Sequence, residues 1–326
     1  MDAVTNRGGM VCASVLQAIG GTPLVDLCRV SAGIDGRVLA KLEYLNPGGS
    51  KKDRIALRII EDAERSGALR PGQTVVELTS GNTGTGLAMV CAVKGYPFVA
   101  VMSSGNSTER SVMMRAMGAE VILVGQGDGS RHGHVTGDDL ALVETVAASI
   151  ASERDAFRAD QFTLSGNPAA HCDGTGAELW SQSDGQADLF CEFVGTGGTF
   201  AGVAAFLKAR RPSISCYVVE PKGAEILAGQ PVSDPSHRIQ GGGYAMSTLP
   251  QLSARLIDGY VAVDDDAAVD AARRLARQEG IFTGFSGGAV LAAAEQLLRG
   301  AHVGQTAVIV LADSGMKYLS TDLWLR

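Results

Sequence analysis

The chain has 326 residues, 45% of them hydrophobic and 19% charged, a globular composition with enough apolar side chains for two cores or one large one. Its net charge of −7 argues against a nucleic-acid polyanion as the main partner. The 42 glycines, about twice the usual share, fall in short motifs with no repeat period, which argues against a collagen-like or low-complexity chain. Six scattered cysteines (Cys12, Cys28, Cys91, Cys172, Cys191 and Cys216) lack CxxC spacing and are expected to be reduced core residues. No signal-peptide pattern opens the sequence and no apolar run approaches the roughly 18 residues of a membrane span, so a cytoplasmic protein without membrane contact is expected.

In chain order, Val38–Glu43 reads as a strand and Asp53–Ser66 as a helix with Ile55, Ile59, Ile60 and Ala63 on its apolar face. A short strand at Thr74–Glu77 precedes a helix through Thr85–Lys94. Then come the strand Phe98–Met102, the helix Ser107–Met117 and the strand Glu120–Val124. Gly125–Asp139, with five glycines and two histidines, breaks the rhythm and is expected to be a surface loop leading into a helix at Leu140–Arg154. Strand and helix alternate again through Leu189–Val194, Thr199–Arg210, Ser215–Glu220, Asp265–Glu279, Gly288–Arg299 and Ala307–Ala312. The alternation predicts an α/β fold of two domains, each a mainly parallel twisted sheet flanked by helices. The division is placed between residues 1–156 and 157–326, with some N-terminal residues packing onto the second domain.

Three turns carry the chemistry. Asn46-Pro-Gly-Gly-Ser-Lys-Lys-Asp-Arg54 joins a strand to a helix, and Ser50 and Asp53 have capping-box spacing. A lysine in that first turn feels the positive helix end, which favours a neutral, nucleophilic amine; a solvated lysine pair beside a capped helix fits the same residues. Glu77-Leu-Thr-Ser-Gly-Asn-Thr-Gly-Thr-Gly86 groups N–H donors and hydroxyls where a carboxylate or phosphate binds. Gly195-Thr-Gly-Gly-Thr199 opens a helix directly after an apolar strand and suits a phosphate. It also invites a dinucleotide reading, with Glu220 as the ribose-binding acid, but Phe200 takes the place of the third glycine of that fingerprint. Three such turns at the C-terminal ends of strands converge on one crevice.

These three motifs resemble the cysteine synthase and cystathionine β-synthase family of fold type II pyridoxal-phosphate enzymes. The likeness extends from Ile19-Gly-Gly-Thr-Pro-Leu24 to Ser314-Gly-Met-Lys-Tyr-Leu-Ser-Thr321, nearly the whole chain. It implies a tryptophan synthase β-like fold, pyridoxal 5′-phosphate as cofactor and a homodimer. By the same resemblance Lys52 is the Schiff-base lysine, with Lys51 at a variable position and a bystander. Asn82 meets the cofactor's ring hydroxyl; Thr79, Ser80, Gly81 and Thr83, with Gln161, grip the substrate carboxylate. Gly195, Thr196, Gly197, Gly198 and Thr199 form the phosphate cup, and Ser314 faces the pyridine nitrogen. A neutral serine there makes the ring a weaker electron sink than a carboxylate would, favouring prompt loss of a β-substituent.

The implied activity is β-replacement on an O-activated serine through an aminoacrylate, with O-acetylserine and sulfide as the default pair. Homocysteine or an amino acid as nucleophile, and β-elimination as in cysteine desulfhydrase or serine dehydratase action, are the alternatives. Several pocket positions depart from the common pattern: Leu78, Thr85, Ser103–Asn106, Gln240–Ala245 (with a cystathionine β-synthase-like Tyr244) and Gly284–Ala289. Small residues at Gly242 and Gly287 fit either room for a nucleophile bulkier than sulfide or neutral drift. Ala224–Pro231 and Glu279–Phe282 resemble the branch that makes 2,3-diaminopropionate precursors. His132 and His134 are read as solvated loop residues with no metal implied, His171 as structural, and Glu109-Arg110 as a charged helix face.

Overall fold

The computed structural model describes residues 11–127 and 134–325. In chain order it contains β1 (Leu24–Asp26), β2 (Arg37–Leu42), α1 (Lys52–Ser66), β3 (Val75–Leu78), α2 (Asn82–Lys94), β4 (Phe98–Ser103), α3 (Thr108–Ala116), β5 (Glu120–Val124) and α4 (Gly137–Glu153). Then follow β6 (Phe157–Arg158), α5 (Gly166–Ala170), α6 (Ala177–Gln182), β7 (Leu189–Phe193), α7 (Gly198–Arg210), β8 (Ser215–Pro221), β9 (Gly259–Val263), α8 (Asp265–Arg274), α9 (Phe285–Arg299) and β10 (Thr306–Leu311).

The strands form two sheets, a four-stranded one in the order β5-β4-β3-β6 and a six-stranded one in the order β1-β2-β10-β7-β8-β9. β1 runs antiparallel to β2, and the other neighbours are parallel. β3, β4 and β7 are buried along their whole length, as strands covered on both faces must be. Ile55, Ile59 and Leu87 of α1 and α2 cover one face of the smaller sheet, and Leu140, Val143 and Ala147 of α4 cover the other. On the larger sheet, α8 and α9 contribute Val269, Phe285 and Leu291 to one face, while Phe200, Val203 and Leu207 of α7 fill the opposite one. No helix among the described residues is long and apolar enough to cross a membrane.

A cut between 156 and 157 does not follow the sheets. β6 lies just past it yet pairs with β3, whereas β1 and β2 lie far before it yet join the larger sheet through β10. Alternation along a sequence indicates which strands are parallel, but not which sheet each one joins. His132 and its neighbours in 128–133 lie outside the described residues. The helix expected from Leu140 begins at Gly137 because Thr136 and Asp139 form a reciprocal capping box. The helix expected over Asp265–Glu279 is α-helical to Arg274 and then widens into a π turn, closed by Gly280 at φ 69°. The cysteines are not uniformly core residues: Cys91, Cys191 and Cys216 are buried, while Cys12 and Cys28 are exposed.

A buried ionic cluster joins the two halves. Arg54 on α1 donates to both carboxylate oxygens of Glu43, each at 2.7 Å, and to Glu178 on α6 at 2.7 and 2.8 Å. Lys41 on β2 reaches Glu178 at 2.6 Å, and Thr22 donates to Glu43 at 2.6 Å. Burial alone would raise the Glu43 carboxyl, but the Arg54 guanidinium overcomes it and holds the group down at about 2. Glu43 therefore stabilises the fold at neutral pH, and that contribution fades only as pH falls from the ordinary glutamate range through about 2. Glu43→Gln leaves Arg54 without its buried counter-charge and should cost about 3–5 kcal/mol, read as a lower urea midpoint for the variant than for the wild type at pH 7.

Candidate active site

Lys52 owes its position to pairing in the larger sheet. β2 and β10 are parallel neighbours, so the segments that leave their C-terminal ends emerge together. Main-chain bonds then stitch them: Lys51 N–H donates to Ala312 O (2.9 Å), and Ser314 N–H donates to Gly49 O (3.2 Å). The expected capping box does not form. Asp53 accepts from Gly48 N–H at 2.6 Å, while Ser50 Oγ accepts from Lys52 N–H at 3.3 Å. The Lys52 amine makes no hydrogen bond or ion pair with the described residues. It is shared between two adjoining cavities, one walled by the Thr79 loop and one by Gly195–Thr199. Burial, and then the charge of Lys51, bring Lys52 down to about 7 against the opposing pull of Glu192 and Asp313.

The loop after β3 is organised by Thr79, whose hydroxyl accepts from Gly81 N–H and Gly84 N–H, both at 2.9 Å. Gly81 has φ 124°, and a Cβ there would lie 2.4 Å from Arg110 Cδ, so only glycine fits. Thr83 donates to Gln161 Oε1 at 2.6 Å, and Gln161 Nε2 donates to Leu78 O at 3.1 Å, which fixes the glutamine amide against the loop. Ser80 and Tyr244 share a hydroxyl–hydroxyl bond of 2.5 Å across the cleft.

In the larger sheet, Gly197 (φ 84°) precedes α7, so main-chain N–H groups at that helix start face the second cavity. Asn167 Nδ2 donates to Thr196 Oγ1 (2.9 Å) and Gln161 O (2.8 Å), leaving the Thr196 proton for a ligand. His171, read as structural, lies directly behind the cup between Thr199 Oγ1 (3.1 Å) and Thr175 Oγ1 (2.9 Å). Burial keeps its ring well below the usual histidine range and therefore neutral.

The turn after β10 separates two adjacent polar residues. Asp313 is buried and committed: its Oδ2 accepts from Asn82 Nδ2 and from Tyr318 OH, both at 2.7 Å, with Arg110 at 3.8 Å. Ser314 is half-buried, and its Oγ accepts from Met316 N–H at 3.2 Å, which keeps the hydroxyl proton available. Asn82 Oδ1 accepts from Lys317 Nζ at 2.9 Å. That fully buried lysine also donates to Gly48 O at 2.9 Å, and burial brings it down to about 8.

Sequence reading misses several of these groups. Arg110 is no charged surface: it is fully buried, lines the first cavity, holds Ser80 O at 2.5 Å and lies 4.8 Å from the Tyr318 ring centroid. A lone Glu-Arg pair at a helix start carries no signal of such burial. Lys51 is no bystander, since it forms a buried ion pair with Glu192. Gly242 and Gly287 do not enlarge the pocket. A Cβ at Gly242 would meet Val194 O at 2.4 Å, and one at Gly287 would meet Thr283 Oγ1 at 2.3 Å, so both glycines serve close packing. Glu220 is satisfied by Leu227 and Ala228 N–H, at 2.9 and 3.0 Å.

The donor set suits pyridoxal phosphate: a helix start with two threonine hydroxyls for the phosphate, an unpaired amine of depressed basicity for the aldehyde, and an amide beside it. The sequence pattern of the pyridoxal-phosphate dependent enzymes matches residues 15–315. The chain is 41% identical over 315 residues to a cysteine synthase of Staphylococcus aureus (strain N315), covering 95% of this chain and 96% of that protein. The structure of O-ureido-L-serine synthase is 39% identical with a TM-score of 0.86, covering 97% of this chain and 96% of the other. O-acetyl serine sulfhydrylase isoform 3 of Entamoeba histolytica is 34% identical with a TM-score of 0.88, covering 100% of this chain and 95% of the other.

Because Lys52 is pushed down to about 7, its amine is free to react above that pH rather than only near its ordinary 10.5. Acylation of Lys52 in the apoprotein by a small amine-directed reagent, followed by peptide mass spectrometry, should rise through pH 7 and then level off.

Proposed function

From the premise that this chain belongs to the pyridoxal-phosphate dependent enzymes and is cysteine synthase-like, we propose that it replaces the β-substituent of an O-activated serine, with O-acetylserine and sulfide giving cysteine and acetate. The observation that carries the reading is the Lys52 amine, lowered in pKa and unpaired among the described residues, between the Thr79–Thr83 loop and the Gly195–Thr199 turn. When bound, the cofactor supplies the electron sink for charge developing at the substrate α-carbon.

The chain's own residues divide the remaining work. Thr79, Ser80, Gly81 and Thr83, with Gln161, hold the substrate carboxylate and thereby fix which α-bond faces Lys52. Lys52 removes the α-proton as general base and returns it to the same carbon once the nucleophile has added at the β-carbon. Gly195–Thr199 anchor the phosphate, Asn82 donates to the ring hydroxyl, and Ser314 offers a neutral partner to the pyridine nitrogen. Arg110 braces the loop from behind through Ser80 O. Tyr244 narrows the cleft over Ser80, which excludes water from the reacting atoms. The resemblance adds a homodimer and a cytoplasmic location to this reading. O-ureido-L-serine synthase among the relatives keeps a nucleophile other than sulfide within reach of the same scaffold.

Purified protein loaded with pyridoxal phosphate should convert O-acetylserine and sulfide to cysteine. Lys52→Ala should lose roughly two to four orders of magnitude in rate and should take up no cofactor label on borohydride reduction. A reducible label persisting on the Lys52→Ala variant would sink the lysine assignment. Pyruvate released from O-acetylserine without any added nucleophile, with no cysteine formed, would replace synthesis by β-elimination. Thr79→Val, which removes the acceptor shared by two loop N–H groups, should raise KM for the amino acid more than it lowers kcat.

A further inference from the structure

The family resemblance gives Lys51 no role, yet its placement is specific. Its main-chain N–H is fixed to Ala312 at the end of β10, and its side chain crosses to Glu192 on β7. Both side chains are almost wholly buried, at 9% and 2% exposure. They share one cavity wall with Gly195, Thr196, Gly197 and Thr199. Burying an ion pair is costly, and here it is imperfect, because Glu192 Oε2 is buried without a hydrogen-bond partner. A carboxylate in the wall of a phosphate pocket also repels the dianion it faces. An ammonium has three protons, and Glu192 occupies one of them.

Resting on the reading of Gly195–Thr199 as the phosphate cup, we propose that Lys51 is a ligand of the cofactor phosphate, anchored by Glu192 so that its remaining protons face the cup. It adds a full positive charge to a site otherwise built from main-chain N–H groups and hydroxyls, where charge-assisted bonds are the stronger kind. After burial, the same ammonium one residue from Lys52 is the next influence that disfavours a second cation there and lowers the Lys52 amine. Phosphate binding and amine activation thus share one charge.

The test is equilibrium binding to the apoprotein, comparing pyridoxal phosphate with pyridoxal, which lacks the phosphate. The preference for the phosphorylated form should fall about tenfold in Lys51→Met and survive in Lys51→Arg. The phosphorus-31 resonance of the bound cofactor should shift in Lys51→Met as well. Lys51→Met strands Glu192, so the double variant Lys51→Met/Glu192→Gln decides the matter, and neutralising both partners preserves the fold. A preference that stays low in the double variant supports direct contact. Its return to the wild-type value means that Lys51 only neutralises Glu192 and overturns the proposal, as does an unchanged preference in Lys51→Met. Wild-type protein with no preference for pyridoxal phosphate over pyridoxal would instead remove the cup itself.

Discussion

The parallel pairing of β2 with β10 is the constraint on which the site depends. Its register, from Arg37 opposite Thr306 to Leu42 opposite Leu311, brings the Lys52 turn and the Ser314 turn out at the same level. β10 also pairs with β7, whose end carries the Gly195–Thr199 turn. Three chemically distinct turns are therefore set side by side by main-chain hydrogen bonds alone. A slip of one residue would exchange the side chains packed on the two buried faces, which meet different helices, so close packing on each face holds the register and the site with it.

The smaller sheet brings the fourth part, the Thr79 loop, across the crevice. It is joined to the larger sheet by polar contacts, Asn167 between Gln161 and Thr196 and the Ser80–Tyr244 hydroxyl pair, and by Phe162 and Met246, which pack against apolar clusters of both sheets. The large ionic cluster of Glu43, Arg54, Glu178 and Lys41 lies further back and ties α1 to the larger sheet, so movement of the loop need not disturb Lys52.

Around the reacting centre the protein buries an unusual set of charges: Lys51, Glu192, Arg110, Asp313 and Lys317. Each is expensive to desolvate, and hydrophobic residues of similar size would often serve stability as well or better. Three of them, Arg110, Asp313 and Lys317, hold Ser80 or Asn82, which are proposed to meet the substrate or cofactor. Lys317 and Asp313 take both ends of the Asn82 amide and so fix its orientation. Arg110 fixes the main chain at Ser80. The tight glycines at 242 and 287 supply no extra volume for a bulkier nucleophile.

By itself the sequence determined the alternation of strands and helices, the three turns and, through resemblance, the family, and it singled out Lys52 as the lysine to propose. Those features are local: apolar runs, glycine spacing and hydroxyl clusters are written within a few residues of one another. Only the tertiary structure decided that β1 and β2 belong to the larger sheet, because that pairing joins the two ends of the chain. It also decided that Arg110 is buried, that Asp313 rather than Ser314 is consumed by Asn82 and Tyr318, and that Lys51 meets Glu192. A charged side chain reads the same in sequence whether it meets water or a distant partner, and desolvation beside that partner is what gives it a role.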